Sequence, residues 1–302
     1  MFSRFSDYFR PSRSHRRQLS MYNNDYLPSD ESGYYSSTGN RNDAILRFII
    51  IRHGERVDNT FGVGWTRYAF NAAGQYYTVH ENMPPALPFR VNWLDYELDT
   101  PLTLNGLQQS WNVGNVLARE NVPIVACYSS PAFRCIQTAD QILAGMGRKM
   151  VIPIQLELGL FECSSWYAQT PINFMSFQEL INGGFNIDTY YRSHLKSLSA
   201  LEDEYGYYER SVETIKKLIK LHRKTGGTIL IVAHAPSLEV LTRQLTNGKP
   251  RPEQLMDLAA QVNYCSMTII DREPYSKSWQ FRYSFDEQIN RQQLLQQYNN
   301  NL

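Results

Sequence analysis

Residues 52–56 read Arg-His-Gly-Glu-Arg and set one imidazole between two guanidiniums. Neighbouring positive charge disfavours the imidazolium, so His53 is pushed toward its neutral form and the group calls for an anion. Two further stretches carry compatible chemistry. Ser129-Ser130-Pro131-Ala132-Phe133-Arg134 supplies a third guanidinium, and His234-Ala235-Pro236-Ser237 a second imidazole. An arginine fork matches phosphate oxygens and never loses its charge. Helix N-termini expected near residues 131 and 236 would add free N–H groups and partial positive charge. In such a pocket neutral His53 can attack phosphorus with a ring nitrogen. Arg52, Arg56 and Arg134 would hold the equatorial oxygens and balance the transition-state charge, with His234 donating a further hydrogen bond. The leaving oxygen needs a proton, which a carboxylic acid usually supplies. The segment "ELGLFECSSW" (157–166) holds two candidates, Glu157 and Glu162. Glu162 lies among Phe161, Cys163 and Trp166, an apolar wall expected to raise its pKa.

Each cluster follows an apolar run: "AILRFIII" (44–51), "VPIVACYS" (122–129) and "TILIVAH" (228–234). Continuous apolar runs predict strands covered on both faces, as in parallel sheets. In such sheets ligands bind at the carboxyl ends of the strands, so clusters distant in sequence would converge on one edge. "MVIPIQLE" (150–157), "SMTIID" (266–271) and "WQFRYSF" (279–285) are weaker strand candidates, the last two nearer a sheet edge. Helical spacing marks 104–119, 131–146 (Ser130 as N-cap, Pro131 first), 208–224 (ended by Gly226–Gly227) and 236–246. The alternation indicates an α/β fold, a three-layer αβα sandwich with a mainly parallel central sheet. The stretch 58–100 is too long for a simple connection and reads as an insertion over the active site. Its Phe61, Trp65, Tyr68, Phe70, Tyr76, Tyr77, Phe89 and Trp93 could wall the phosphate or pack a small core of their own. His80, His194 and His222 lack such company and read as structural.

The 302 residues suffice for a large core. A net charge of +1 gives no global field for nucleic acid, and no apolar run reaches membrane-spanning length. Cys127, Cys135, Cys163 and Cys265 fit neither zinc spacing nor a disulfide framework, which points to free thiols in a reducing compartment such as the cytoplasm. Residues 1–43 read as a disordered basic and polar tail; Phe2, Phe5 and Phe9 share a helical face, which also fits a mitochondrial presequence. Folded structure is expected over 44–286, followed by a Gln/Asn-rich tail at 287–302.

The motifs "RHGERVD", "FGVGW", "PLTLNG", "YSSPAFRCIQTA", "LFECSSW", "NIDTYY" and "ILIVAHAPSLE" resemble the histidine phosphatase (phosphoglycerate mutase-like) superfamily. Within it they are most similar to the phosphatase domain of the STS/TULA proteins and to the ecdysteroid-phosphate phosphatases. The resemblance implies a phosphoglycerate mutase-like fold and a metal-independent phosphomonoesterase with no cofactor. By position, His53 matches the phosphate-accepting nucleophile and Glu162 the proton donor. Arg52, Arg56 and Arg134 match the phosphate-holding arginines and His234 the second histidine. The substrate implied is a phosphotyrosine protein or another aryl or hydrophobic phosphate, with a homodimer as a partner state. A small-molecule phosphatase or mutase and a non-catalytic phosphate-binding scaffold are the alternatives. Glu55-Arg56-Val57-Asp58 departs from the small-molecule mutase pattern and favours hydrolysis.

Overall fold

A computed structural model describes residues 45–167, 172–273 and 277–283. The tails expected at 1–43 and 287–302 lie outside the described residues. In chain order the elements that build the fold are β1 (Leu46–Arg52), α1 (Val57–Phe61), α2 (Thr66–Ala69), α3 (Leu104–Arg119), β2 (Ile124–Ser129), α4 (Phe133–Gly145), β3 (Ile154–Leu156), α5 (Phe177–Asn182), α6 (Glu204–His222), β4 (Gly227–Ala233), α7 (Ser237–Val240), α8 (Leu255–Gln261), β5 (Met267–Arg272) and β6 (Trp279–Tyr283).

The strands form one sheet in the order β3-β2-β4-β1-β5-β6. The first four run parallel; β5 pairs antiparallel with β1, and β6 antiparallel with β5. Side chains alternate across a strand, and β1 divides between two cores accordingly. Ile49 and Ile51 join Leu230, Val232, Leu117, Phe133 and Ile136 on one face. Phe48 and Ile50 join Ile229, Ile231, Ile215, Leu218 and Leu238 on the other. Helices α3 and α4 thus cover one side and α6 and α7 the other, which is the expected three-layer αβα sandwich.

Local boundaries differ from the sequence expectation for physical reasons. β3 is three residues long because Pro153 has no N–H for the ladder and residues 151 and 152 turn back to the Arg148 carbonyl. α4 begins at Phe133, and Ala132 is extended (φ −58°, ψ 130°). Ser130 is drawn to His234 instead, its Oγ 2.9 Å from Nε2. The Phe133 N–H donates to Asp99 Oδ1 at 2.7 Å, so that helix end is already served by a carboxylate. The helix expected over 236–246 splits into the four-residue α7 and a 3-10 turn at Arg243–Thr246. The helix expected from 208 starts at Glu204, where the Asp203 side chain accepts from the Gly206 N–H.

Between α1 and α3 the aromatic residues pack on one another and on the sheet core. Phe70 stacks on Trp93 at 5.0 Å and lies 6.0 Å from Trp65 and 5.4 Å from Tyr76. Trp65 and Tyr96 are buried with it, whereas Tyr68, Tyr77 and Phe89 are exposed. Trp65, Phe70 and Tyr96 join the core that Ile49, Ile51 and Phe133 share, and Phe61, Tyr76 and Trp93 pack against it.

One close approach fixes the turn after β1. A Cβ at Gly54 would come within 2.5 Å of the Gly106 carbonyl oxygen, and a Cβ at Gly106 within 2.2 Å of the Glu55 oxygen. The two backbones touch where neither chain can carry a side chain. Among the described residues no helix is long and apolar enough to cross a membrane, and all four cysteines are free thiols.

Candidate active site

The neighbouring β1, β4 and β2 end together, and their last residues hand the chain into the site. The His53 N–H donates to the Ala233 carbonyl at 3.0 Å, and the Ser130 N–H to the Val232 carbonyl at 3.0 Å. This register sets the His53 and His234 rings 5.6 Å apart, tilted by 72°. Arg134 follows one turn later on α4, and Glu162 arrives from the loop after β3. The six side chains singled out by the sequence, Arg52, His53, Arg56, Arg134, Glu162 and His234, therefore occupy one place. Glu157 does not join them. Its carboxylate accepts from Ser193 Oγ (2.7 Å), Tyr191 OH (2.6 Å) and the His194 and Gly159 N–H groups (2.8 and 2.9 Å), and it is a buried anchor for the 191–195 segment. His222, away from the site, pairs with Tyr128 OH at 2.8 Å.

His53 is almost wholly buried. Its Nδ1 lies 2.8 Å from the Gly54 carbonyl. A carbonyl only accepts, so Nδ1 carries the hydrogen and Nε2 keeps a free lone pair. Burial, then Arg134, Arg52, His234 and Arg56, hold the imidazole well below its ordinary pKa. The ring is neutral at physiological pH, as the flanking arginines predict.

Arg134 is the most deeply set of the cations, with no exposed surface. Its Nη2 donates to Glu162 Oε1 and to Tyr167 OH (3.1 Å) and lies 3.2 Å from His234 Nδ1. Among the described residues its Nε and Nη1, and Arg52 Nε, are buried without a hydrogen-bond partner. Buried N–H groups are costly to leave unpaired, and three of them in a cationic pocket suit the oxygens of a tetrahedral anion. The Arg52 guanidinium donates to the Val262 carbonyl and lies over the Tyr264 ring at 4.3 Å. Arg56 is gripped by both oxygens of Asp58, with Nε to Oδ1 at 2.6 Å.

Glu162 departs from expectation. Burial alone would raise its pKa, but His234 and Arg134 beside it pull it well below the usual carboxylate range. The apolar wall exists, with Phe161 buried, yet Oε1 also accepts from Tyr167 OH at 2.6 Å and touches two basic groups. In the free protein Glu162 is a carboxylate. His234 is driven down to about 4, chiefly by burial, with Glu162 opposing.

These shifts make a stability prediction. His234 has a folded pKa of about 4 against 6.5 in an open chain. Below pH 6.5 the unfolded state takes up the proton first, so stability falls as pH drops from 6.5 toward 4. Glu162, whose folded pKa is depressed, adds a loss of the same sign below its ordinary value of 4.5. Urea melts across this range will show a lower midpoint with each step down in pH, and His234→Asn will flatten the upper part of the slope. A midpoint that rises on acidification contradicts the burial of neutral imidazoles.

Tyr167, Tyr264, Ser130 and Asp58 also contact the site side chains, which the sequence alone does not show. Ser130 and Asp58 lie in motifs already singled out, beside residues with obvious chemistry. Tyr167 and Tyr264 carry no local signal, since only the fold brings one to Glu162 and the other to Arg52. Among the described residues no group of three or more His, Cys, Asp or Glu side chains could hold a metal ion.

Comparison with known proteins gives a consistent picture. The sequence model of the histidine phosphatase superfamily (branch 1) matches residues 92–284, a range that begins after the 52–56 cluster. The chain is 37% identical over 226 residues to the ubiquitin-associated and SH3 domain-containing protein B of Mus musculus, covering 72% of this chain and 35% of that protein. It is also 37% identical over 232 residues to the ecdysteroid-phosphate phosphatase of Drosophila melanogaster, covering 75% of this chain and 30% of that one. The chain thus spans about a third of the length of these curated relatives. A crystal structure of the ecdysone phosphate phosphatase from Bombyx mori, in complex with tungstate, superposes with a TM-score of 0.71 at 28% identity, covering 78% of this chain and 91% of that chain. The chain belongs to the histidine phosphatase superfamily, branch 1.

Proposed function

We propose that the chain is a metal-independent phosphomonoesterase working through a phosphohistidine on His53. The observation that supports it most is the state of His53: buried and neutral, its Nδ1 hydrogen committed to Gly54, so that Nε2 offers a lone pair amid Arg52, Arg56 and Arg134. The phosphate of the substrate binds to the unpaired guanidinium N–H groups. Nε2 forms a bond to phosphorus while the bond to the leaving oxygen breaks, and Glu162 gives that oxygen its proton. Glu162 is ionised in the free protein, so it has to gain that proton first. An arriving phosphate dianion supplies the reason, since it adds negative charge beside the carboxylate and competes for Arg134, both of which raise the Glu162 pKa. In the second half, Glu162 takes a proton from water. The water oxygen bonds to phosphorus, the phosphorus–Nε2 bond breaks, and inorganic phosphate leaves.

The relatives and one ring support a substrate class. The Drosophila relative is named for an ecdysteroid phosphate, and the Bombyx structure holds tungstate, a tetrahedral oxyanion. In this chain the Tyr264 ring lies 5.9 Å from that of His53 and is half-buried, a flat aromatic neighbour of the imidazole. An aryl phosphate, with protein phosphotyrosine as the leading case, fits this neighbour; a compact hydrophobic phosphate such as a steroid ester is the second reading.

The decisive experiment uses radiolabelled aryl phosphate and rapid denaturation. Label retained on the protein, stable in base, lost in acid and mapped to His53 supports the reading. Turnover without any trapped label, or transfer of the phosphoryl group to a second hydroxyl in place of water, overturns the hydrolytic cycle. Binding of phosphate with no hydrolysis of any ester identifies a scaffold instead.

A further inference from the structure

Glu162 sits on an irregular loop, where no regular element fixes its backbone. One guanidinium ties three of its carbonyls to α6. This is Arg210, on α6, whose nitrogens spread over three carbonyls of the loop. Nη1 donates to Gly159 (2.9 Å) and Phe161 (2.8 Å), and Nη2 to Glu162 itself (3.1 Å). The remaining directions are taken by Glu202, which receives Nε and Nη2 at 2.6 Å each. Both side chains are only 8% exposed, so the pair is shielded from solvent, and the guanidinium also packs on the Tyr207 ring at 4.7 Å. Glu202 in turn accepts from the Ser164 N–H (3.4 Å), and its own carbonyl from the Ser165 N–H (3.3 Å). At Gly159 a Cβ would lie 2.2 Å from Thr214 Oγ1, so the loop is pressed directly onto α6.

We propose that Arg210, locked by Glu202, is a positioning residue that sets the Glu162 carboxyl for proton transfer to the leaving group. The inference rests on the assignment of Glu162 as the acid. A planar fork suits this task because it fixes several acceptors in one plane, which an ammonium cannot do. A general acid displaced by a fraction of an ångström loses its advantage while the nucleophile and phosphate cradle keep theirs.

Leaving-group dependence separates this role from a structural one. A dinitrophenolate departs without a proton, whereas a phenolate needs one. Kinetics of the full chain with phenyl phosphate and dinitrophenyl phosphate should be compared for Arg210→Met, Arg210→Lys, Glu202→Gln and Glu162→Gln. The Arg210 and Glu202 variants are expected to lose roughly a hundredfold in kcat/KM on phenyl phosphate and less than about threefold on the dinitrophenyl ester, as for loss of acid catalysis. Glu202→Gln is the mildest change and reads the clamp if the Arg210 variants fail to fold. A loss of equal size on both esters in folded Arg210 and Glu202 variants, with the discrimination still present in Glu162→Gln, overturns the clamp alone. An equal loss on both esters in Glu162→Gln overturns the acid assignment beneath it.

Discussion

Replacing His53 by Ala abolishes turnover, by about 10⁴-fold or more, as removal of a covalent nucleophile does elsewhere. The fold survives the change. Among the described residues the His53 side chain hydrogen-bonds only to the neighbouring Gly54 carbonyl, while its backbone pairing with Ala233 and Cys265 is untouched. The arginines that hold the anion also remain, so the variant should still bind phosphate or tungstate. That combination, binding without turnover, is diagnostic. Initial rates with an aryl phosphate, paired with tungstate titration, check it. Wild-type rates in His53→Ala rule out attack by this nitrogen, and lost tungstate binding means that the imidazole holds the anion rather than attacks.

Arg134→Met lowers kcat/KM by roughly 10² to 10³, the range found when one preorganised transition-state donor is removed. Two effects combine. The substrate loses the Nε and Nη1 donors, which are buried and have no partner among the described residues. Glu162 loses its strongest fixed cation and its pKa climbs, since burial then acts on it with less opposition. The second effect shifts the pH profile of the remaining activity toward higher pH. Removing one partner of a buried ion pair also costs about 3–5 kcal/mol of stability, so Tm must be measured beside the rates. Arg134→Lys keeps the charge and loses the fork; it should fold better and still be strongly impaired. An unchanged kcat/KM in the lysine variant removes the fork from the mechanism.

The sequence carried the parts of this molecule that depend on long apolar runs and on their ends. β1, β2 and β4 could be placed within about two residues because buried parallel strands have few ways to be written. The convergence of Arg52, His53, Arg134 and His234 follows from those strands alone. What could not be read depends on contacts made across the chain. Ser130 followed by Pro131 looks like a helix start, yet Ser130 serves His234 and Asp99, more than thirty residues upstream, takes the Phe133 N–H. The neighbours of Glu162 in sequence are apolar and suggested a raised pKa. Its neighbours in space, Arg134 and His234, reverse the sign. Glu157 and Glu162 are equivalent as letters; only the 191–195 segment, folded over Glu157, tells anchor from acid.

The contact between Gly54 and Gly106 changes how the tripeptide Arg-His-Gly should be used. Its third letter is a matter of elbow room: two main chains lean on each other, and a methyl group on either would prise α3 away from the turn. The glycine therefore testifies to architecture, and only the histidine before it to reactivity. A descendant that had abandoned catalysis and mutated its nucleophile would still be obliged to keep the glycine in order to fold.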